Sequence, residues 1–137
     1  VKRRLFPLWD RSGVITIFIR PIPPIMMPHT VQLHSYTGSS RYGDSYADPV
    51  TITHVRVVPK SQLKFGANAE TIDFISMLYI DVNTSNQVVN GIEQDLKIVP
   101  KEKDKVTYDG KDYIISNANE LLAGNEVHHY ECELNGM

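Results

Sequence analysis

Asp104-Lys-Val-Thr-Tyr-Asp-Gly-Lys-Asp-Tyr-Ile-Ile-Ser116 decides the fold, because it spells out a β-hairpin together with its register. Asp109-Gly110 supplies the two central residues of a type I′ turn, where both positions need φ > 0; glycine takes that conformation freely and aspartate tolerates it. A two-residue link fixes the pairing, so Tyr108 faces Lys111, Thr107 faces Asp112 and Val106 faces Tyr113. Val106, Tyr108, Tyr113 and Ile115 then share one face, which is read as the core side. The later stretch Val127-His-His-Tyr-Glu-Cys-Glu-Leu134 alternates with the same period of two. His128, Tyr130, Cys132 and Leu134 point one way, and Val127, His129, Glu131 and Glu133 the other, with the acidic residues outward.

Working outward from this hairpin, the rest of the chain reads as short strands between turn signals. Residues 30–36 alternate as a half-buried strand with Val31 and Leu33 on one side. Residues 37–49, rich in Gly, Ser, Tyr and Asp, are expected to be a polar loop. In the strand 50–58 the apolar phase changes sides, from even Val50 and Ile52 to odd Val55 and Val57, which predicts a bulge near Thr53-His54. Residues 60–71, with Lys60, Lys64, Phe65 and Asn68, are expected to form a mobile loop. The strand 72–82 is apolar on both faces: Phe74, Leu78, Ile80 and Val82 on one, Ile75, Met77 and Tyr79 on the other. One face fills the core and the other must be covered as well, which makes Ile75, Met77 and Tyr79 a candidate subunit interface. Asn90-Gly91 signals a second hairpin, residues 96–99 a short strand ended by Pro100, and residues 118–123 the one helical window. About six short strands with almost no helix make an all-β barrel or sandwich.

Length and composition narrow the function. A chain of 137 residues is expected to form one domain, 21–137, preceded by a leader or arm at 1–20. A domain of this size buries roughly two-thirds of its unfolded surface without disulfides. A formal charge of −2 argues against wrapping nucleic acid as the main task. Cys132 is the single cysteine, so no internal disulfide forms, and a reducing compartment such as bacterial cytoplasm suits it. Lys2-Arg3-Arg4 before an apolar stretch imitates a signal peptide until Asp10 and Arg11 interrupt it. The run Val14-Ile-Thr-Ile-Phe-Ile19 falls far short of the ~20 apolar residues of a membrane span, so no membrane partner is expected. Pro21, Pro23, Pro24 and Pro28 hold the following segment extended.

Motifs that resemble chemistry fail on inspection. Residues 38–45 carry the glycine spacing of a phosphate loop, but Asp44 stands where a lysine should neutralise phosphate. Asp81-Val-Asn-Thr-Ser85 opens like a calcium loop, yet Asn86 occupies the sixth position and Ile92 the twelfth. Asn83-Thr84-Ser85 is formally a glycosylation sequon without a secretory route to modification. His128-His129 is the tempting metal pair, but neighbours on a strand face opposite sides and cannot share one ion unless a bulge intervenes. No serine or cysteine sits in a nucleophile setting. The sequence therefore points to no catalytic residue, metal, cofactor or small-molecule substrate, and no enzyme is expected.

Taken in order, Arg20-Pro-Ile-Pro23 through His29-Thr-Val31, Tyr36-Thr-Gly38, Val50 to Val57, Lys105 to Ile115 and His128 to Leu134 resemble the minor capsid or head-tail joining proteins of tailed bacteriophages and prophages. The leader through Ile19 has no counterpart in that pattern, and residues 83–103 are longer than it. The resemblance implies a small antiparallel β-barrel with long loops that acts as a structural virion protein. It further implies a homo-oligomeric ring joining portal or adaptor to tail proteins at the head-tail interface, after assembly in the host cytoplasm. Packaged DNA would be met only through the channel lumen. On that reading the 60–71 loop, with Lys60, Lys64, Phe65 and Asn68, is the candidate lumen segment. The alternative from another class is a small barrel binding single-stranded nucleic acid, with Tyr36, Tyr42 and Tyr46 as stacking platforms around Arg41. The plainer role for those tyrosines is to order their loop.

Overall fold

The computed structural model describes residues 19–65 and 70–136, with side chains at all of them except 60–75. After a single 3₁₀ turn at Pro24–Met26 come β1 (His29–His34), β2 (Tyr36–Ser40), β3 (Gly43–Tyr46), β4 (Val50–Phe65) and β5 (Glu70–Asp81). They are followed by β6 (Asn86–Val89), β7 (Ile92–Asp95), β8 (Lys105–Tyr108), β9 (Lys111–Ala123) and β10 (Glu126–Gly136). The sheet runs β1-β8-β9-β10-β5-β4, and β4 returns to pair with β1. This closes a six-strand antiparallel barrel, the all-β class expected, and leaves the barrel itself without an edge. Each barrel strand contributes to the core: Val31 and Leu33; Ile52, Val55 and Val57; Leu78 and Ile80; Val106; Ile115; and Tyr130, Cys132 and Leu134.

The hairpin that decided the fold has the expected register, Val106↔Tyr113, Thr107↔Asp112 and Tyr108↔Lys111. Asp109 (φ 53°) and Gly110 (φ 75°) form its turn. Asn90 (φ 53°) and Gly91 (φ 79°) repeat the device between β6 and β7. The bulge also falls where the phase change placed it. On β1 the register steps from His29↔Val55 to Val31↔Ile52, which inserts one extra residue into β4, and His54 takes φ 56°. Inward burial then resumes at Val55 and Val57.

Four expectations about elements need correction. Residues 37–49 are not a loop throughout, because β2 and β3 pair there as a separate hairpin. Residues 118–123 are strand rather than helix: Ala118↔Cys132 through Ala123↔Glu126 continue the β9–β10 ladder. Residues 96–99 form no strand; the Gln87 side-chain oxygen accepts from Lys97 N (2.8 Å) and Ile98 N (3.1 Å), standing in for a partner strand. Residues 60–71 are mostly strand, since β4 continues to Phe65 and β5 begins at Glu70, with pairs from Ser61↔Phe74 to Phe65↔Glu70. The pairing of β10 with β5 ends at Ile75 and that of β1 with β4 at Val55, so this far part of β4–β5 is a two-stranded ribbon running past the barrel. Asn68 and the side chains of Lys60, Lys64, Phe65 and Ile75 lie outside the described residues, as does the leader before Ile19. The proline segment is extended only in part, since Pro24–Met26 makes a turn that seats Met27 in the interior.

Candidate assembly surface

Leu78 and Ile80 point into the barrel and are fully buried, so the alternate residues Met77 and Tyr79 face outward, where both are half-buried. Tyr79 lies between Arg56 on β4 and Glu131 on β10, and Met77 between Val58 and Glu133. The outer strip thus has an apolar centre with an acidic row along one side and Arg56 on the other. Neighbouring stems already cover part of the two apolar side chains, which is how a strand apolar on both faces sits in a barrel of one layer.

At the end of β5 the strip is crossed by the segment that precedes the 3₁₀ turn. Asp81 is fully buried beneath it. Its Oδ1 accepts from Asn83 N (2.8 Å) and Thr84 N (2.9 Å), and its Oδ2 from Ile22 N (2.9 Å). The Thr84 hydroxyl donates back to Ile22 O, and the Ser85 hydroxyl to His54 O. The stretch that opened like a calcium loop is therefore an aspartate-capped turn whose carboxylate is consumed by backbone donors. His128 adds a further tie, its Nε2 lying 2.7 Å from Arg20 O.

His128 and His129 correct the expectation that strand neighbours diverge. The β10–β9 register steps from Val127↔Leu122 to His129↔Leu121, so His128 is an extra, bulged residue. The bulge brings the two Nδ1 atoms to 2.8 Å, close enough for one to donate to the other. His129 Nε2 lies 3.6 Å from Glu131 Oε2. The pair forms a polar knot, and the described residues contain no group of three or more His, Cys, Asp or Glu placed to hold an ion.

The tyrosines of the β2–β3 hairpin are engaged with each other and with cations of this chain. Tyr36 and Tyr46 meet edge to face at 5.8 Å, Lys103 stands over the Tyr36 ring and Lys105 over that of Tyr46. Arg41 covers Tyr42 and donates to its hydroxyl. Asp104, itself buried, accepts from Tyr36 N (2.9 Å) and Lys101 N (3.0 Å) and fixes the hairpin to the barrel. These contacts favour the plainer role, in which the tyrosines order their own segment. Burial pushes the Cys132 thiol up to about 12, so it stays protonated and packs as a small apolar group. No helix among the described residues is long and apolar enough to cross a membrane.

Sequence reading placed Met77 and Tyr79 on the outward face of β5, Cys132 in the core and the bulge in β4, but missed the tying roles of Asp81, Asp104 and Gln87, which draw on donors both near and remote in the chain. The one legible signal was Asp81-Val-Asn-Thr, a common aspartate-turn pattern.

The family model described as "Minor capsid protein" matches residues 23–134. The chain belongs to the minor capsid protein family. This bears out the resemblance carried by the hairpin and its flanking strands, and makes the chain a structural component of a phage capsid that assembles with other virion proteins. The XkdH protein of the phage-like element PBSX from Bacillus subtilis, a solved structure, aligns with 79% of this minor capsid protein and 92% of its own chain, at 13% identity and a TM-score of 0.40. No curated protein matches this chain.

Proposed function

We propose that this minor capsid protein is a ring-forming subunit of the head-tail connector, joining portal or adaptor to tail as a non-enzymatic head-completion piece. The observation that carries the reading is the combination of a closed barrel body with the β4–β5 ribbon running past it. A closed barrel has no edge to polymerise through, so a ring of such bodies is held by side-chain surfaces and projecting segments. On this reading Ile75, Met77 and Tyr79 meet the neighbouring subunit. The segment 60–71, carrying Lys60, Lys64, Phe65 and Asn68 in its sequence, is the proposed lumen segment and the part that meets packaged DNA. The protein works at the head-tail interface of the virion after assembling in the host cytoplasm.

Light scattering and negative-stain microscopy of the purified protein, alone and mixed with its cognate portal complex, test this. A ring, or a saturable addition to the portal, is the expected result. A monomer that ignores the portal and instead binds single-stranded DNA with a steep salt dependence overturns it in favour of the nucleic-acid reading.

A further inference from the structure

A cleft of about 480 Å³ lies between the strap of residues 21–24 and strand β7, with His54 of β4 and Asn83, just after β5, also on its walls. Pro21, Pro23 and Pro24 give the strap wall apolar rings without backbone donors, and the Ile22 N–H is already spent on Asp81. The facing wall carries Glu93 and Asp95, exposed and two residues apart on one face of β7. Among the described residues neither carboxylate has a cationic partner, and no Lys or Arg lines the cleft. Carboxylates on one side and proline rings on the other suit a cation joined to an aromatic ring.

The same chain carries such a group on the other side of the barrel. At the turn between β2 and β3, Tyr42 is 84% exposed, and the Arg41 guanidinium lies 5.0 Å from its ring centre and donates to its hydroxyl (2.9 Å). Held against each other, the two side chains are ordered before any partner arrives, which lowers the entropy cost of docking. Arg and Tyr are also among the residues that most often anchor an interface. The β2–β3 hairpin rests on the β8–β9 wall: Tyr36 N donates to Asp104, Lys105 stands over Tyr46, and Ile114 lines a hollow with both tyrosines. In the closed order β1-β8-β9-β10-β5-β4 the pair β8–β9 stands three places from β5–β4, which is the opposite wall and the one that bears the cleft.

We propose that the Arg41-Tyr42 tip of one subunit docks in the cleft of a second copy, with the guanidinium between Glu93 and Asp95 and the Tyr42 ring on the prolines of the strap. The inference rests on the ring reading and specifies one of its contacts. A tip and a cleft on opposite walls make a heterologous contact, in which each copy offers its tip to the next and successive contacts close a ring. The cleft lies just past the end of β5, so this contact continues the outward strip of Met77 and Tyr79. Tip against tip, or acidic wall against acidic wall, would bring like charges together, which selects the head-to-tail arrangement.

Paired cysteines in the full chain test it: Ser40→Cys, which leaves Arg41 and Tyr42 in place, is combined with Gln94→Cys or with Asn83→Cys on the cleft walls. Light scattering follows assembly of the same samples, alone and with the cognate portal complex. Under mild oxidation either pair should give a ladder of cross-linked chains, whereas Ser40→Cys alone stops at a dimer and the buried Cys132 takes no part. No ladder from either pair in an assembled preparation overturns this contact and leaves the ring reading standing. A protein that stays monomeric in both conditions overturns the two together. Charge reversal gives a second measurement at exposed positions, where the fold does not depend on the side chain. Arg41→Glu, and Glu93→Arg with Asp95→Arg, should each raise the concentration needed for assembly about tenfold or more, and all three changes in one chain should restore it. Assembly that is indifferent to Arg41→Glu, or that the combined variant fails to restore, overturns the proposal as well.

Discussion

Asp81 joins segments that are remote in the chain: its carboxylate takes the N–H groups of Asn83, Thr84 and, 59 positions away, Ile22. Buried donors that lose their acceptor carry the full cost of desolvation. Asp81→Ala should therefore lower stability by about 2–3 kcal/mol in urea unfolding, and Asp81→Asn, which keeps one acceptor oxygen, by less. His34 provides a pH dependence. Burial, and then the Lys105 cation, lower its affinity for a proton from the ordinary 6.5, so the folded state favours neutral imidazole. That contribution is complete above pH 6.5 and drains away as acid forces the charged form. His34→Gln should flatten the fall in stability on acidification below pH 6.5, as followed by thermal unfolding across a pH series. For Asp81 the contacts from Asn83 and Thr84 are local, but the tie to Ile22 arrives through tertiary structure, as do the burial of His34 and its Lys105 neighbour.

Element by element, legibility depended on whether the instruction was local. The Asp109-Gly110 turn and the phase flip around Thr53-His54 are written within a few residues, and both appear as read. His54 occupies left-handed backbone, and its buried Nδ1 has no hydrogen-bond partner among the described residues. His54→Val should cost about 1–3 kcal/mol, because a β-branched residue resists that conformation, while His54→Gly should be close to neutral. Chemical denaturation of the two variants separates backbone strain from side-chain loss. Where the local signal pointed elsewhere, the partner strand won. Asn119-Glu-Leu-Leu-Ala123 has helical preferences, but the ladder with β10 holds it extended to the Gly124 turn (φ 64°). The ribbon half of β4 was missed for a related reason: the polar residues spread through 60–71 hide the alternation of a strand.

For the whole molecule the question is how a closed barrel assembles. Met77 and Tyr79 stand outward next to Glu133 and Glu131, which offers a way to separate assembly from folding. Met77→Lys combined with Tyr79→Lys places a cation beside each glutamate, so the monomer should keep its fold at a cost of roughly 1–2 kcal/mol. The ring should be lost from size-exclusion and light-scattering profiles. A double variant that still forms the ring removes this strip from the proposed interface.

By itself the sequence determined the all-β class, the central hairpin and its register, the β4 bulge, the buried Cys132 and the family to which the chain belongs. The structural features among these are set by turn chemistry or by a period of two that adjacent residues declare, while the family rests on the resemblance of several stretches taken in order. Only the tertiary structure decided that β4 returns to β1 to close the barrel, that β9 runs on through a helical window, that His128 and His129 meet at a bulge, and that Asp81 ties down the strap before β1. Those outcomes rest on strand pairing and side-chain ties that a linear pattern does not specify, among them Ile22 N on Asp81, 59 positions away.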